Sequence, residues 1–226
     1  MGERGGRAAI VRVDLHAHTR RSTDAWTTPA AFVRRAAGAG LDWIAVTDHG
    51  RLDGALAAAA LAPGRVIVGE EVRCREGVDL IGLFLREPLP DHAPIAEAAA
   101  AIRGQGGIVY APHPFAYLAR ARARAAIVLA AADVVEVFNA RAFAPGWNRE
   151  AARAAAAAGR PGFASSDAHF PWEVGRAWTE LPPFHDAASF LRSATAARPA
   201  GGRRGSMLLH VASMALSLAR GGRVEL

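Results

Sequence analysis

The apolar positions of this chain fall in short runs that end on polar residues and alternate with Ala-rich helical stretches. Residues 8–15 are mostly Ala, Ile, Val and Leu, with Arg12 as the one interruption, and read as a buried strand. Residues 29–39 read as a helix, started by Thr27-Thr28-Pro29 with proline at a permissive first-turn position and stopped by Gly38-Ala39-Gly40. Further strands are predicted over residues 42–47, 65–68, 78–85, 107–111, 133–138, 162–164 and 176–181, with 65–68 and 78–85 close enough to form a hairpin. Helices are predicted over 52–61, 94–103, 120–131, 147–158 and 186–196. Strand then helix, about six or seven times over, predicts an α/β fold with a parallel sheet and helical crossovers.

The tail breaks this rhythm. Residues 198–205 are rich in Pro, Gly and Arg and read as a linker. Residues 206–218 read as an amphipathic helix with Met207, Val211, Met214 and Leu218 on one face. The expected organisation is therefore a barrel domain over 1–197, then a linker and C-terminal helix over 198–226 docked on the barrel or on a second subunit.

Composition narrows the class. The 226 residues suit one domain, and 51% hydrophobic content is ample for its core. The sole cysteine, Cys74, excludes an internal disulfide and suits a reducing cytoplasm. No apolar region follows the polar residues 1–9, and no run is long enough to cross a membrane, so a soluble cytoplasmic protein without a membrane partner is expected. The net charge of +6 comes with 27 basic residues that are all arginine and are dispersed, which does not favour a nucleic-acid partner.

The candidate chemistry sits where strands give out. His16 and His18, two apart at the end of the first strand, project to the same side, as two converging metal ligands would. Asp48 and His49, Glu71, His113, and Asp167 and His169 follow at later strand ends. In a barrel those ends meet at one rim, where active sites are built. Five of the eight histidines are placed this way, and His92, His185 and His210 read as surface residues. Histidine with carboxylate suits zinc, manganese or iron.

Taken in order, Asp14-Leu15-His16-Ala17-His18, Thr47-Asp48-His49-Gly50, Gly69-Glu70-Glu71, Pro112-His113-Pro114 and Ser166-Asp167-Ala168-His169 resemble the successive motifs of the PHP (polymerase and histidinol phosphatase) family. The resemblance implies a distorted seven-stranded β/α, TIM-like barrel holding two or three divalent ions. By that resemblance His16, His18, Glu71 and Asp167 would hold one ion, and Glu71 would bridge to a second held by His113. A third would take His49, His169 and an acidic residue after the first motif. Glu70, if it alternates to the opposite face, packs or caps instead.

Three positions depart from the family pattern. Where members often carry an aspartate, this chain has Thr23, and Asp24 comes one place later as the candidate ligand. Asp79 stands where some members have a histidine, as a ligand of the second ion or as a turn residue. Asn139, a poor ligand, ends the strand where some relatives place a histidine.

The resemblance implies a metal-dependent phosphoesterase acting on a small phosphomonoester, a nucleotide or phosphorylated metabolite, through hydroxide formed from ion-bound water. His49, His169 or ion-bound water would supply the leaving-group proton, and Asp14 and Asp48 would orient neighbouring histidines. Arginine suits phosphate, and Arg20 and Arg141 directly follow strand ends, with Arg120 and Arg122 as further candidates. Phe115, Phe138 and Trp172 are candidate pocket walls. The alternatives are a 3′-5′ exonuclease, an amidohydrolase or TatD-like nuclease, and a weakly catalytic module with a structural or partner-binding role.

Overall fold

The computed structural model describes residues 9–116, 121–202 and 207–221. In chain order the elements are β1 (Val11–Asp14), α1 (Pro29–Gly38), β2 (Trp43–Val46), α2 (Asp53–Leu61), β3 (Val66–Arg73), β4 (Asp79–Leu83), α3 (Ile95–Gly104) and β5 (Ile108–Ala111). They continue with α4 (Ala121–Ala131), β6 (Val134–Asn139), α5 (Pro145–Ala157), β7 (Gly162–Ser165), β8 (Ala177–Leu181), α6 (Ala187–Ala194), β9 (Arg198–Gly201) and α7 (Met207–Ala219). Local chemistry sets several boundaries. The Thr28 hydroxyl caps α1 by accepting the Ala31 N–H at 3.2 Å, and Asp186 and Ser189 form a reciprocal capping box on α6.

The strands form one curved sheet in the order β7-β6-β5-β4-β3-β2-β1-β8-β9. β1, β2 and β3 are parallel, as are β5, β6 and β7, while the hairpin strand β4 runs antiparallel between β3 and β5. The two ends of the sheet come together at the functional rim. There the His18 N–H donates to the Ala168 carbonyl and the Asp167 N–H to the His16 carbonyl, both at 2.8 Å. The barrel class is as the resemblance implies, but the described sheet has nine strands, not seven. β8 lies antiparallel on β1, and the Thr179 hydroxyl links it to β7 by accepting the Ala164 N–H at 2.7 Å.

The expected linker is in part a correction. Residues 198–201 form β9, antiparallel to β8 with Thr179 opposite Pro199. The strand forms without an apolar pattern because it is an edge, where proline's missing N–H is tolerated. The barrel interior is filled by Val13, Leu15, Ile67, Ile81, Tyr110 and Phe163, with Phe190 of α6 packed against them. No described helix is long and apolar enough to cross a membrane.

Candidate metal centre

At the rim where the barrel closes, four side chains turn their electron pairs toward one point. His16 Nε2 lies 3.1 Å from His18 Nε2, 3.1 Å from Glu71 Oε2 and 3.5 Å from Asp167 Oδ1. His18 Nε2 lies 3.3 Å from Glu71 Oε2 and 3.4 Å from Asp167 Oδ1. A tetrahedral ion with ligands at about 2.0–2.1 Å separates those ligands by roughly 3.3 Å. Five edges of this tetrad match that figure, so the donor set fits a divalent cation.

Glu71 faces two ways. Its Oε2 belongs to the tetrad and is 3.4 Å from His49 Nδ1, whereas Oε1 is 3.3 Å from His113 Nε2. Asp79 brings a carboxylate oxygen within 4.8 Å of the Glu71 and His113 donors. On the opposite side, Asp24 Oδ2 is 3.3 Å from His49 Nε2 and 3.0 Å from His169 Nε2. His169 Nδ1 sits 2.8 Å from the Asp167 carbonyl, which can only accept; Nε2 is thereby left with its lone pair toward a carboxylate. Two acceptors facing each other at that distance require a cation between them, whether a proton or a metal.

The supporting residues explain how the ligands are held. Glu136, fully buried on β6, accepts from His16 Nδ1 at 3.2 Å, from the His113 N–H at 2.7 Å and from Asn139 Nδ2 at 3.0 Å. Asn139 also donates to Asp167 Oδ2 at 3.1 Å, so it steadies a carboxylate of the tetrad. Asp14 accepts the backbone N–H groups of His16 and Ser166, tying β1 to β7. Asp48 acts on His18 through Ser22, whose hydroxyl donates to Asp48 Oδ1 at 3.0 Å and lies 3.5 Å from His18 Nδ1. Gly54 admits α2 to this loop, because a Cβ there would overlap the Asp48 carboxylate and the Thr19 hydroxyl. His113 and Asp167 both adopt positive φ, 24° and 50°, a backbone conformation unusual for non-glycine residues and found at functional sites.

The charge pattern of the site matches its geometry. Burial alone would favour neutral imidazoles, yet Asp24 and Glu71 raise His49 to about 10, and Glu71 raises His113 to about 9. His16 is held well above its ordinary value by Asp167, Glu71 and Glu136 against the same burial. Glu71, Asp167 and Asp24 stay well below the usual carboxylate range despite burial, because the imidazoles surround them. His169 departs from this pattern: burial and the Arg141 guanidinium lower it.

A cavity of about 900 Å³ opens beside these donors, lined by Asp24, His49, Glu71, His113, Asp167 and His169 among others. The structure corrects several expectations here. Arg20 is exposed on the turn after the first motif and does not line the cavity. Arg141 does line it, but Nη1 is 3.1 Å from Glu173 Oε2, and Nη2 donates to the Ser213 hydroxyl at 2.9 Å. Arg120 and the Arg122 side chain lie outside the described residues. His92 and His185 are exposed as expected, His92 at the mouth of the cavity, whereas His210 is half-buried and lines the cavity. Among the described residues the Phe and Trp side chains that line it are Phe143 and Trp147, not Phe115, Phe138 or Trp172.

The C-terminal helix also docks differently from its apolar stripe. Val211 and Leu218 are more than half exposed, whereas Ser213 and Ser217 are buried. Polar contacts decide the seat of α7: Ser213 takes the Arg141 donor, the Ser217 hydroxyl lies 3.1 Å from that of Thr23, and Arg220 donates to the Ala25 carbonyl at 2.7 Å. The helix thereby becomes one wall of the cavity, through His210, Val211, Ser213, Met214 and Ser217. Sequence reasoning also passes over Glu136, whose signal is a lone carboxylate inside the apolar strand 134–138 and so in need of partners.

Comparison with known proteins agrees with the motifs. Residues 14–99 match the PHP domain family, and residues 145–199 match the PHP-associated family. An uncharacterized protein of Methanocaldococcus jannaschii is 32% identical over 143 residues, which cover 58% of this chain and 82% of that protein. Among solved structures, a two-domain protein from Bacteroides vulgatus containing a predicted PHP-like metal-dependent phosphoesterase superimposes with a TM-score of 0.68 at 16% identity, covering 92% of this chain and 70% of that one. The lesion-specific endonuclease EndoQ from Pyrococcus furiosus superimposes with a TM-score of 0.56 at 15% identity, covering 84% of this chain and 58% of that one. With its ordered motifs, its closed barrel and its rim of histidines and carboxylates, the chain belongs to the PHP family.

Proposed function

We propose that this chain is a metal-dependent phosphoesterase that hydrolyses a small phosphomonoester. The observation that carries the reading is the split allegiance of Glu71, one oxygen in the His16, His18, Asp167 tetrad and the other at His113. His16, His18, Glu71 and Asp167 would hold one divalent ion, and Glu71 with His113 a second. Zinc, manganese or iron bound there supplies Lewis-acid charge at phosphoryl oxygens and acidifies water near neutral pH.

The chain's own residues do the rest. Glu136 and Asn139 hold His16 and Asp167 in place, so the donors need little rearrangement as charge builds on the phosphoryl group. His49 and His169 both aim Nε2 at Asp24 Oδ2, a trio that would hold a third ion. With a proton in that place, the trio can pass it to the departing alcohol, and His49, its side chain 46% exposed, stands nearer the solvent.

The cavity favours a monoester over a polynucleotide. Its volume is that of a small-molecule site, and α7 forms a wall along one side. EndoQ's likeness keeps a phosphodiester substrate as the second reading. Chelator-treated protein supplied with manganese, zinc or iron should release phosphate from p-nitrophenyl phosphate only after metal is added. Turnover of single-stranded DNA without turnover of any monoester would favour the second reading, and no turnover of either would refute both.

A further inference from the structure

The cavity holds a guanidinium that the strand-end pattern does not single out. Glu71 and Arg73 are two apart on β3, so their side chains leave the same face of the strand, and both line the cavity. Directly across the hairpin, Arg73 is the register partner of Asp79. Arg73 Nη1 donates to both Asp79 carboxylate oxygens at 2.8 Å. The pair therefore stands on the cavity wall, beside the oxygen of Glu71 that faces His113.

We propose that Arg73 binds the phosphate group of the substrate and that Asp79 positions it, an assignment that rests on the phosphoesterase reading of the neighbouring metal centre. Arg73 and Arg141 are the arginines among the described residues that line the cavity. They differ in how deeply their ion pairs are buried. The Arg141 side chain is 4% exposed and paired with fully buried Glu173, with further donation to Ser213 and the Leu209 carbonyl. Turning it toward a ligand would strand a buried carboxylate, which is strongly unfavourable.

Arg73 and Asp79 are 25% and 23% exposed, a setting in which an ion pair contributes little to stability. What the pair does provide is a guanidinium whose flexible stem is already held, so less freedom is lost when an anion binds. A planar guanidinium matches phosphate oxygens, and this one lies beside the donors that would hold the ions. Asp79 serves here as the partner that fixes the Arg73 stem.

The test uses full-length, metal-loaded protein and its Arg73→Ala, Arg73→Lys and Asp79→Asn variants. Inorganic phosphate binding is measured by calorimetry, p-nitrophenyl phosphate turnover by steady-state kinetics, and bound metal by elemental analysis. Arg73→Ala should weaken phosphate binding and raise KM by about 10- to 100-fold with metal content unchanged. Arg73→Lys, which keeps the charge and guards against a folding artefact, should recover part of the loss, and Asp79→Asn should weaken phosphate binding less than Arg73→Ala does. Unchanged phosphate binding in Arg73→Ala overturns the proposal. Loss of metal in Asp79→Asn overturns the positioning role and makes Asp79 a ligand. Arg73-dependent phosphate binding without ester turnover would leave this assignment standing and refute the phosphoesterase reading. Ester turnover that ignores Arg73 would do the reverse.

Discussion

Glu136 Oε1 lies 3.2 Å from His16 Nδ1 at full burial, so a carboxylate that touches no ion position sets which nitrogen of His16 faces the tetrad. The other oxygen of Glu136 accepts from the His113 N–H and from Asn139, which in turn holds Asp167. One buried acid thus steadies His16, His113 and, through Asn139, Asp167. Partners of this kind tune affinity nearly as strongly as the ligands themselves.

Glu136→Gln should therefore weaken metal binding by about 10–100-fold. A glutamine that keeps its oxygen on His16 presents an NH₂ group to two donors, the His113 N–H and the Asn139 amide. Competition with a chromophoric chelator measures the affinity. An unchanged affinity would show that His16 needs no such partner.

Arg141 and Glu173 form the other buried pair of the site, and Glu173 also accepts the backbone N–H groups of His169 and Phe170. Arg141→Ala leaves that carboxylate uncompensated and removes the contact with Ser213, so stability should fall by about 3–5 kcal/mol. Denaturant unfolding against the parent chain checks this. A loss below about 1 kcal/mol would mean that the pair is not what seats the loop.

Glu70 does not join the donor cluster, as expected of the neighbour of Glu71, and accepts the Leu89 N–H at 2.8 Å. Burial, with a small contribution from Asp91, raises its carboxyl to about 7. The folded chain therefore holds this proton more tightly than the unfolded chain. Its contribution to stability is full below the unfolded value of 4.5 and declines as pH rises toward about 7. Glu70→Gln keeps an acceptor for Leu89 and removes the ionisation, so the variant should gain on the parent between pH 5 and pH 8, by about 2 kcal/mol. Parallel urea titrations at the two pH values test the sign, and a variant that loses ground on the parent as pH rises contradicts it.

Cys74 is buried, and burial together with Glu76 and Asp79 pushes its thiol up to about 12. The thiolate, which is the reactive form, is therefore scarce at neutral pH. Ellman's reagent at pH 8 should leave the folded chain unmodified and react promptly in denaturant. Prompt reaction without denaturant would show that the turn after β3 opens.

Much of the barrel and of its rim was legible in the residues themselves. His16 and His18 announce a shared direction by being two apart at a strand end, and strand-end polarity locates Glu71, His113, Asp167 and His169. β9 is silent because Arg198-Pro199-Ala200-Gly201 carries no alternation; it forms by pairing along an edge that β8 offers. The face on which α7 sits is not legible in its apolar stripe, because Ser213, Ser217 and Arg220 find long-range polar partners on another. Arg73 is one arginine among many until the β3–β4 register sets it against Asp79 and beside Glu71.

The central claim is that imidazoles and carboxylates from separate strand ends together hold divalent cations. Calorimetric titration of chelator-treated chain with manganese or zinc tests it most directly, run in buffers of different ionisation enthalpy. The account predicts tight binding, release of protons from the imidazoles that carry them in the metal-free state, and a collapse of affinity in Glu71→Gln. Absence of binding, or equal binding by Glu71→Gln, would contradict it.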